Sequence, residues 1–333
     1  MPPPLDASQP TPAPTLGAAP LVDAGQSIWA ARRDALVARR DARRGALFMA
    51  GSALGFSVMS LLVKLVSAEL PTMQIVFFRS MIMGAFTLVL IRRYAAPVVG
   101  TRVRLLLARG FIGAAAMALL YLALARLPLG DATTLHYTAP VWTALSAAFL
   151  LGERLRPLVL AGTAVCLGGV VLVAQPAFLF GARADALDLV GVGLALSSAV
   201  LSGLAYTFVR QLRTTDHPLT IVLYLGGAGM AISLPFAATW LWPTFGAWAA
   251  LFGIGAATQV GQLCLTRGLH LLEAGTATAI GYLQIVFAFG WGVLVFGETP
   301  EALSFGGALL VLSSVLLIVR RARAAEPSAP AER

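Results

Sequence analysis

Uninterrupted apolar runs recur ten times between residues 45 and 320, and no other feature of the chain restricts its fold so tightly. A bilayer's hydrocarbon core, about 30 Å thick, is crossed by roughly 20 helical residues. The runs predict crossings at 45–66, 72–91, 106–126, 132–151, 157–174, 187–209, 218–240, 246–268, 276–296 and 302–320. A spanning β-barrel would alternate apolar and polar residues in segments of about ten, whereas GALFMAGSALGFSVMSLLV and ALLVLSSVLLIV are continuous. Pro71, Pro157 and Pro218 fall at helix starts, where a missing N–H costs nothing. With 58% hydrophobic and 12% charged residues, the chain holds more apolar surface than a soluble domain can bury. The expected fold class is an all-α integral membrane protein with ten transmembrane helices.

A formal charge of +9 would suit a nucleic-acid binder, but in a membrane protein the placement of charge matters more than its sum. Six arginines precede the first run (Arg32, Arg33, Arg39, Arg40, Arg43 and Arg44). Arg92, Arg93, Arg102, Arg104, Arg154, Arg156, Arg210, Arg213, Arg267, Arg320, Arg321 and Arg323 fall on the same side, against Lys64, Arg126 and Arg183 on the other. Positive charge stays in the cytoplasm, so both termini are expected there, and the bilayer rather than nucleic acid is the expected partner. Residues 1–27, rich in Pro and Ala, read as a disordered tail, and the basic stretch up to residue 44 as a juxtamembrane segment. That stretch is too long and too acidic, with Asp34 and Asp41, for a signal or transit peptide. Residues 321–333 read as a cytoplasmic tail. The near-total use of Arg over Lys, with abundant Ala, points to a GC-rich genome and hence to a bacterial inner membrane. Cys166 and Cys264 lie far apart inside apolar runs and suggest neither a disulfide nor a metal site, and nothing calls for a cofactor.

The chain also repeats itself. A shift of 145 positions aligns Gly130 with Gly275, Tyr137 with Tyr282 and Gly152-Glu153 with Gly297-Glu298, giving 14 identities over the 49 positions from Leu124 to Leu172. A shift of 146 pairs Val63-Lys64 with Val209-Arg210. Each half then holds five crossings, and an odd number inverts the second half in the membrane. Inverted repeats are the architecture of alternating-access transporters, with substrate bound near the midplane between the halves.

The residues themselves carry a family resemblance. FFRS (77–80), LARG (107–110), ALARLPLGDATTLHYTAPVWTALSAAFLLGERLRP (123–157) and VLVAQP resemble the EamA-type branch of the drug/metabolite transporter superfamily. GLHLLEAGTATAIGYLQIVFAFGWGVLVFGETP (268–300) is similar, with Ile285 where the first half has Pro140. The resemblance covers residues 45–320 and implies repeats at 45–182 and 187–320 and a carrier for a small metabolite. FFR, LARG and QPAFLFG (175–181) also resemble the G-type solute carrier 35 proteins and S-adenosylmethionine carriers.

Arg79 is the sharpest candidate for a substrate contact. It stands eight residues after Pro71, roughly 12 Å into the membrane at about 1.5 Å per residue. An arginine at mid-membrane costs about 2.5–3.5 kcal/mol on insertion scales, and no acid lies at comparable depth, so water, carbonyls or an anionic substrate must answer it. A structural arginine bonded to carbonyls is the equal alternative. Arg109 is a second candidate, near enough to the cytoplasmic face to snorkel. Tyr121, His136, Tyr137, Ser202, Tyr206, Gln259, Tyr282 and Gln284 are candidate cavity residues, alongside Ser57, Ser60 and Gln262, although ordinary interhelical hydrogen bonds explain such side chains as well. His136 is the expected titratable group. Glu153 and Glu298 read as caps for the helices that follow them, Pro140 as structural, and the Gly and Ala of the fifth and tenth crossings as close packing within the chain or in a homodimer. The expected function is secondary transport of a small polar organic metabolite such as an amino acid or carboxylate. A non-transporting scaffold or receptor is the alternative. An intramembrane enzyme is a weaker one, since no acid–base or metal constellation forms by spacing.

Overall fold

The computed structural model describes residues 19–151, 157–174, 188–212, 214–271, 280–299 and 301–323, and among them the only regular secondary structure is helical. The helices are α1 (Ala19–Val66), α2 (Thr72–Tyr94), α3 (Val103–Leu124), α4 (Leu129–His136), α5 (Ala139–Leu151) and α6 (Pro157–Ala174). They continue as α7 (Leu189–Leu212), α8 (Pro218–Ser233), α9 (Phe245–Leu271), α10 (Leu283–Phe296) and α11 (Ala302–Arg323). Six are long and apolar enough to cross a membrane, namely the 43–66 part of α1, α2, α3, α7, α8 with its extension, and α9. Large apolar side chains stand exposed along them, Val89, Phe111, Val200 and Phe252 among others, where lipid takes the place of water. Aromatic residues gather beyond α8, with Trp240 4.7 Å from Phe77 and Trp248 5.0 Å from Phe78 between ring centroids. Trp242 beside them is 90% exposed, as in the aromatic belt of a membrane interface.

The helices pack with the symmetry of the repeat. α1 packs on α9 and α7 on α3; α2 on α8, α6 on α11 and α4 on α10 form the pairs that join equivalent helices; α3 on α8 is matched by α9 on α2. Exchanging the first five crossings for the second five returns the same set of pairs. The closest crossings are made through glycine. A Cβ on Gly169 would stand 2.8 Å from the Gly307 carbonyl oxygen, and one on Gly307 2.6 Å from that of Gly169. The small residues of the fifth and tenth crossings are therefore used within the chain, where backbones approach in van der Waals contact.

Several boundaries depart from expectation. α1 begins at Ala19, so residues 19–27 are helical rather than part of a disordered tail; Pro20 stands in its first turn, where proline is tolerated, and Ala-rich sequence follows. The fourth crossing is not one helix: α4 ends at His136, Tyr137 and Thr138 form a turn, and α5 begins at Ala139. Pro140 has no N–H to give the His136 carbonyl, which ends the α-helical ladder there. The ninth crossing has a matching irregularity at Tyr282, immediately before α10, although Ile285 replaces the proline. The seventh ends in a 3-10 segment, Leu234–Thr239, with Pro235 at its start. The Gln74 side chain closes that end, donating to the Leu241 carbonyl (2.7 Å) and accepting from the Leu241 N–H (3.0 Å). Glu153 and the 182/187 repeat boundary lie outside the described residues.

Candidate functional site

Two faces of the bundle are tied across the halves, and the candidate residues lie between them. On one face, the Lys64 ammonium donates to the Leu127 carbonyl (2.6 Å) and to Glu298 Oε1, while Glu298 Oε2 accepts from the Leu129 N–H (2.9 Å). Glu298 thus caps α4 of the other half and not the helix that follows it. Its position comes from Gly297, whose φ of +64° is the left-handed geometry that ends a helix, with the Glu298 N–H returning to the Gly292 carbonyl (3.0 Å). Arg126 pairs with Asp188 at 3.0 Å on the same face. On the opposite face, the Thr101 N–H donates to Asp216 Oδ1 (2.5 Å) and the Thr220 hydroxyl to the Pro97 carbonyl (2.5 Å).

Between these ties sits a pair of arginines. Arg79, on α2, is 2% exposed, and its Nε and Nη2 have no hydrogen-bond partner. Its guanidinium carbon lies 6.0 Å from the centre of the Tyr121 ring, which is fully buried on α3. Arg109, also on α3, points inward: its Nη1 lies 2.8 Å from where a Cβ on Gly113 would stand, one turn deeper in the membrane. The side chain therefore does not snorkel towards the surface, and its Nε and Nη1 are likewise buried without a partner. α2 and α3, which carry the two arginines, pack on each other, and α3 also packs on α7, which carries Tyr206. Among the described residues the ion pairs are Lys64–Glu298 and Arg126–Asp188, so no carboxylate answers either central charge.

The remaining candidates extend from this pair. Ser198, Ser202 and Tyr206 recur every four residues on α7 and so share one face. Tyr206 is 52% exposed. The Tyr137 hydroxyl donates to Gln284 Oε1 (2.6 Å). The repeat-related Tyr137 and Tyr282 have ring centroids 5.2 Å apart, so the two helix irregularities meet on the pseudo-twofold. His136 Nδ1 lies 3.0 Å from the Ser198 hydroxyl, which spends its own proton on the Ala116 carbonyl (2.7 Å); Nδ1 is then the donor. That makes His136 a pin between α4 and α7. Gln259, on α9, is buried with its Oε1 unpartnered. Ser202 makes no side-chain hydrogen bond among the described residues.

Sequence reasoning missed Asp131. It is 5% exposed, one carboxylate oxygen has no partner, and Glu298, Ser304, Lys64 and Glu301 all act on it. The Gly-Asp at the start of the fourth crossing was its only signal, and that reads as an ordinary helix start.

A bundle of lipid-facing helices repeated around a pseudo-twofold, with buried unpaired cations and broken helices at its centre, defines a membrane transporter. The sequence profile of the EamA-like transporter family matches twice, over residues 43–175 and 189–320, and the chain belongs to that family. It is 32% identical to the pseudopaline exporter CntI of Pseudomonas aeruginosa, over 84% of this chain and 96% of that one. Human solute carrier family 35 member G1 is 29% identical over 65% of this chain and 61% of its own length. One crystal structure superposes with a TM-score of 0.57 at 19% identity, covering 87% of this chain and 99% of that one, a likeness of fold.

Proposed function

We propose that this chain is a secondary carrier for a small organic metabolite bearing a carboxylate or another anionic group, moved by alternating access between two inverted five-helix halves. The carrying observation is the pair of central arginines, Arg79 buried and Arg109 partly so, each with two buried guanidinium nitrogens that have no hydrogen-bond partner. An unanswered charge in a low-dielectric interior is expensive, and a site that must later be filled by an anion is the arrangement that makes such a cost useful. Arg79, Arg109, Tyr121, Tyr206, Tyr137, Tyr282 and Gln284 then form the site, with His136, Ser202 and Gln259 beside it. Ten crossings place both termini in the cytoplasm by the arginine distribution, and hence the Lys64 face outside, in a bacterial inner membrane. In that orientation the ties at Lys64 lie on the outer face and those at Asp216 and Thr220 on the inner one. Substrate transport, rather than catalysis, is the activity this geometry serves. The names of the relatives support transport without fixing its cargo.

Counterflow into proteoliposomes preloaded with amino acids, carboxylates, nucleosides and S-adenosylmethionine tests this. Labelled exchange by the native chain, lost in Arg79→Ala with insertion intact, is the expected result. Exchange undiminished in Arg79→Ala would refute the role given to the arginine, and no exchange from any pool would favour a scaffold.

A further inference from the structure

The charge balance of the site, taken with that reading, says more about the cargo than that it is an anion. Arg79 and Arg109 come from two helices that pack on each other, and each keeps two N–H-bearing nitrogens buried without a partner. Around them the structure places neutral groups: the Tyr121 ring on α3, Tyr206 on α7, and beyond it Tyr137 and Gln284. The carboxylates of Glu298 and Asp216 are engaged at the two faces with Lys64, Leu129 and Thr101. Asp131 lies in the Lys64 cluster. The centre therefore holds two positive charges and, among the described residues, no negative one.

A singly charged ligand leaves half of that charge buried and unanswered. A carboxylate held in the usual fork geometry spends both oxygens on one arginine, which leaves the N–H groups of the other without an acceptor. We infer that the carrier selects a dianion, a molecule with two separated carboxylates or a carboxylate and a phosphate, one held by Arg79 and the other by Arg109. The polar body between them meets the Tyr206, Tyr137 and Gln284 row. The helix origin of each arginine gives this mode of binding a further property. α2 packs on α8 and α3 on both α7 and α8, so a ligand joining Arg79 to Arg109 ties together helices that contact the second half at different places.

The test is equilibrium binding of labelled succinate to the full-length chain in nanodiscs, with unlabelled butyrate, succinate, glutarate and adipate as competitors. These acids share an apolar spacer and differ in charge and in carboxylate separation. At least one dicarboxylate is expected to compete about tenfold more strongly than butyrate, as one extra charge-assisted contact implies. Arg109→Gln should bring that ratio to about one, by weakening the dicarboxylates and not butyrate, and Arg109→Lys should restore part of it. Butyrate competing as well as every dicarboxylate in the native chain would overturn the dianion inference while leaving the anion carrier standing. A preference that survives Arg109→Gln would remove Arg109 from it. Absence of binding by all four acids, with counterflow of a neutral or cationic cargo, would overturn the anion reading and this inference together.

Discussion

The protein treats its basic side chains in opposite ways in two regions. At one membrane face Lys64 meets Glu298 and a carbonyl, and Arg126 meets Asp188. In the centre Arg79 and Arg109 meet no acid at all. Arg79, the most deeply buried of these charges, is left without an acid, whereas the partly buried Lys64 and the exposed Arg126 each have one. A scaffold needs the reverse or no central charge. The rim charges hold the chain to itself, whereas the central ones have no acid within the described residues to hold.

The comparison can be broken most forcefully at Arg79. Its replacement by alanine should lower exchange by about 100-fold to 10,000-fold, the loss of two contacts to a charged group at about 1.5–3 kcal/mol each. Insertion should be intact, as seen by an unchanged monodisperse peak in detergent. A carboxylate supplied from within should also remove the contrast. Tyr206→Glu, beside Arg109, should raise the melting temperature yet cut exchange by about tenfold, because the cargo must then displace an internal ion pair.

Lys64→Ala acts on the other region. It leaves Glu298 beside Asp131 without a cation, and should lower the melting temperature by a few degrees, corresponding to about 1–2 kcal/mol for a partly buried pair. Exchange should persist with an altered rate, measured in the same vesicles. Smallest of all is Arg126→Ala, because its pair is exposed. The hydrogen bond from Arg126, with that from the Val190 N–H, holds the Asp188 carboxyl below the ordinary carboxylate range. A depressed carboxyl stabilises the folded chain above its unfolded pKa and loses that contribution as pH falls through the folded one. The small difference between native and Arg126→Ala melting temperatures should therefore be present at pH 7 and vanish in acid.

Much of the fold was legible in the sequence, because lipid imposes continuous apolar runs and the repeat leaves matched Tyr and Gly-Glu positions. The fourth crossing shows where that ended. Pro140 was visible, but a proline after an apolar run reads as a kink or as nothing, and Tyr282 has no proline to announce its own irregularity. Arg79 stood out because an arginine in an apolar run is rare. Arg109 was misjudged, since its distance from the helix start says nothing about which way a long side chain points.

Hydrophobic runs, their number and the distribution of arginine follow from local sequence, because each segment answers to the bilayer on its own. Helix class, the repeat and the presence of a buried cation were therefore written along the chain. The pairing of charges was not. Lys64 and Glu298 are 234 positions apart and meet through the packing of α1 and α10. That Arg79 and Arg109 are both left without an acid depends on how α2, α3 and α7 are set around the pseudo-twofold. Electrostatics acts through space, so which charges are answered, and which wait for a ligand, was decided when the two halves came together.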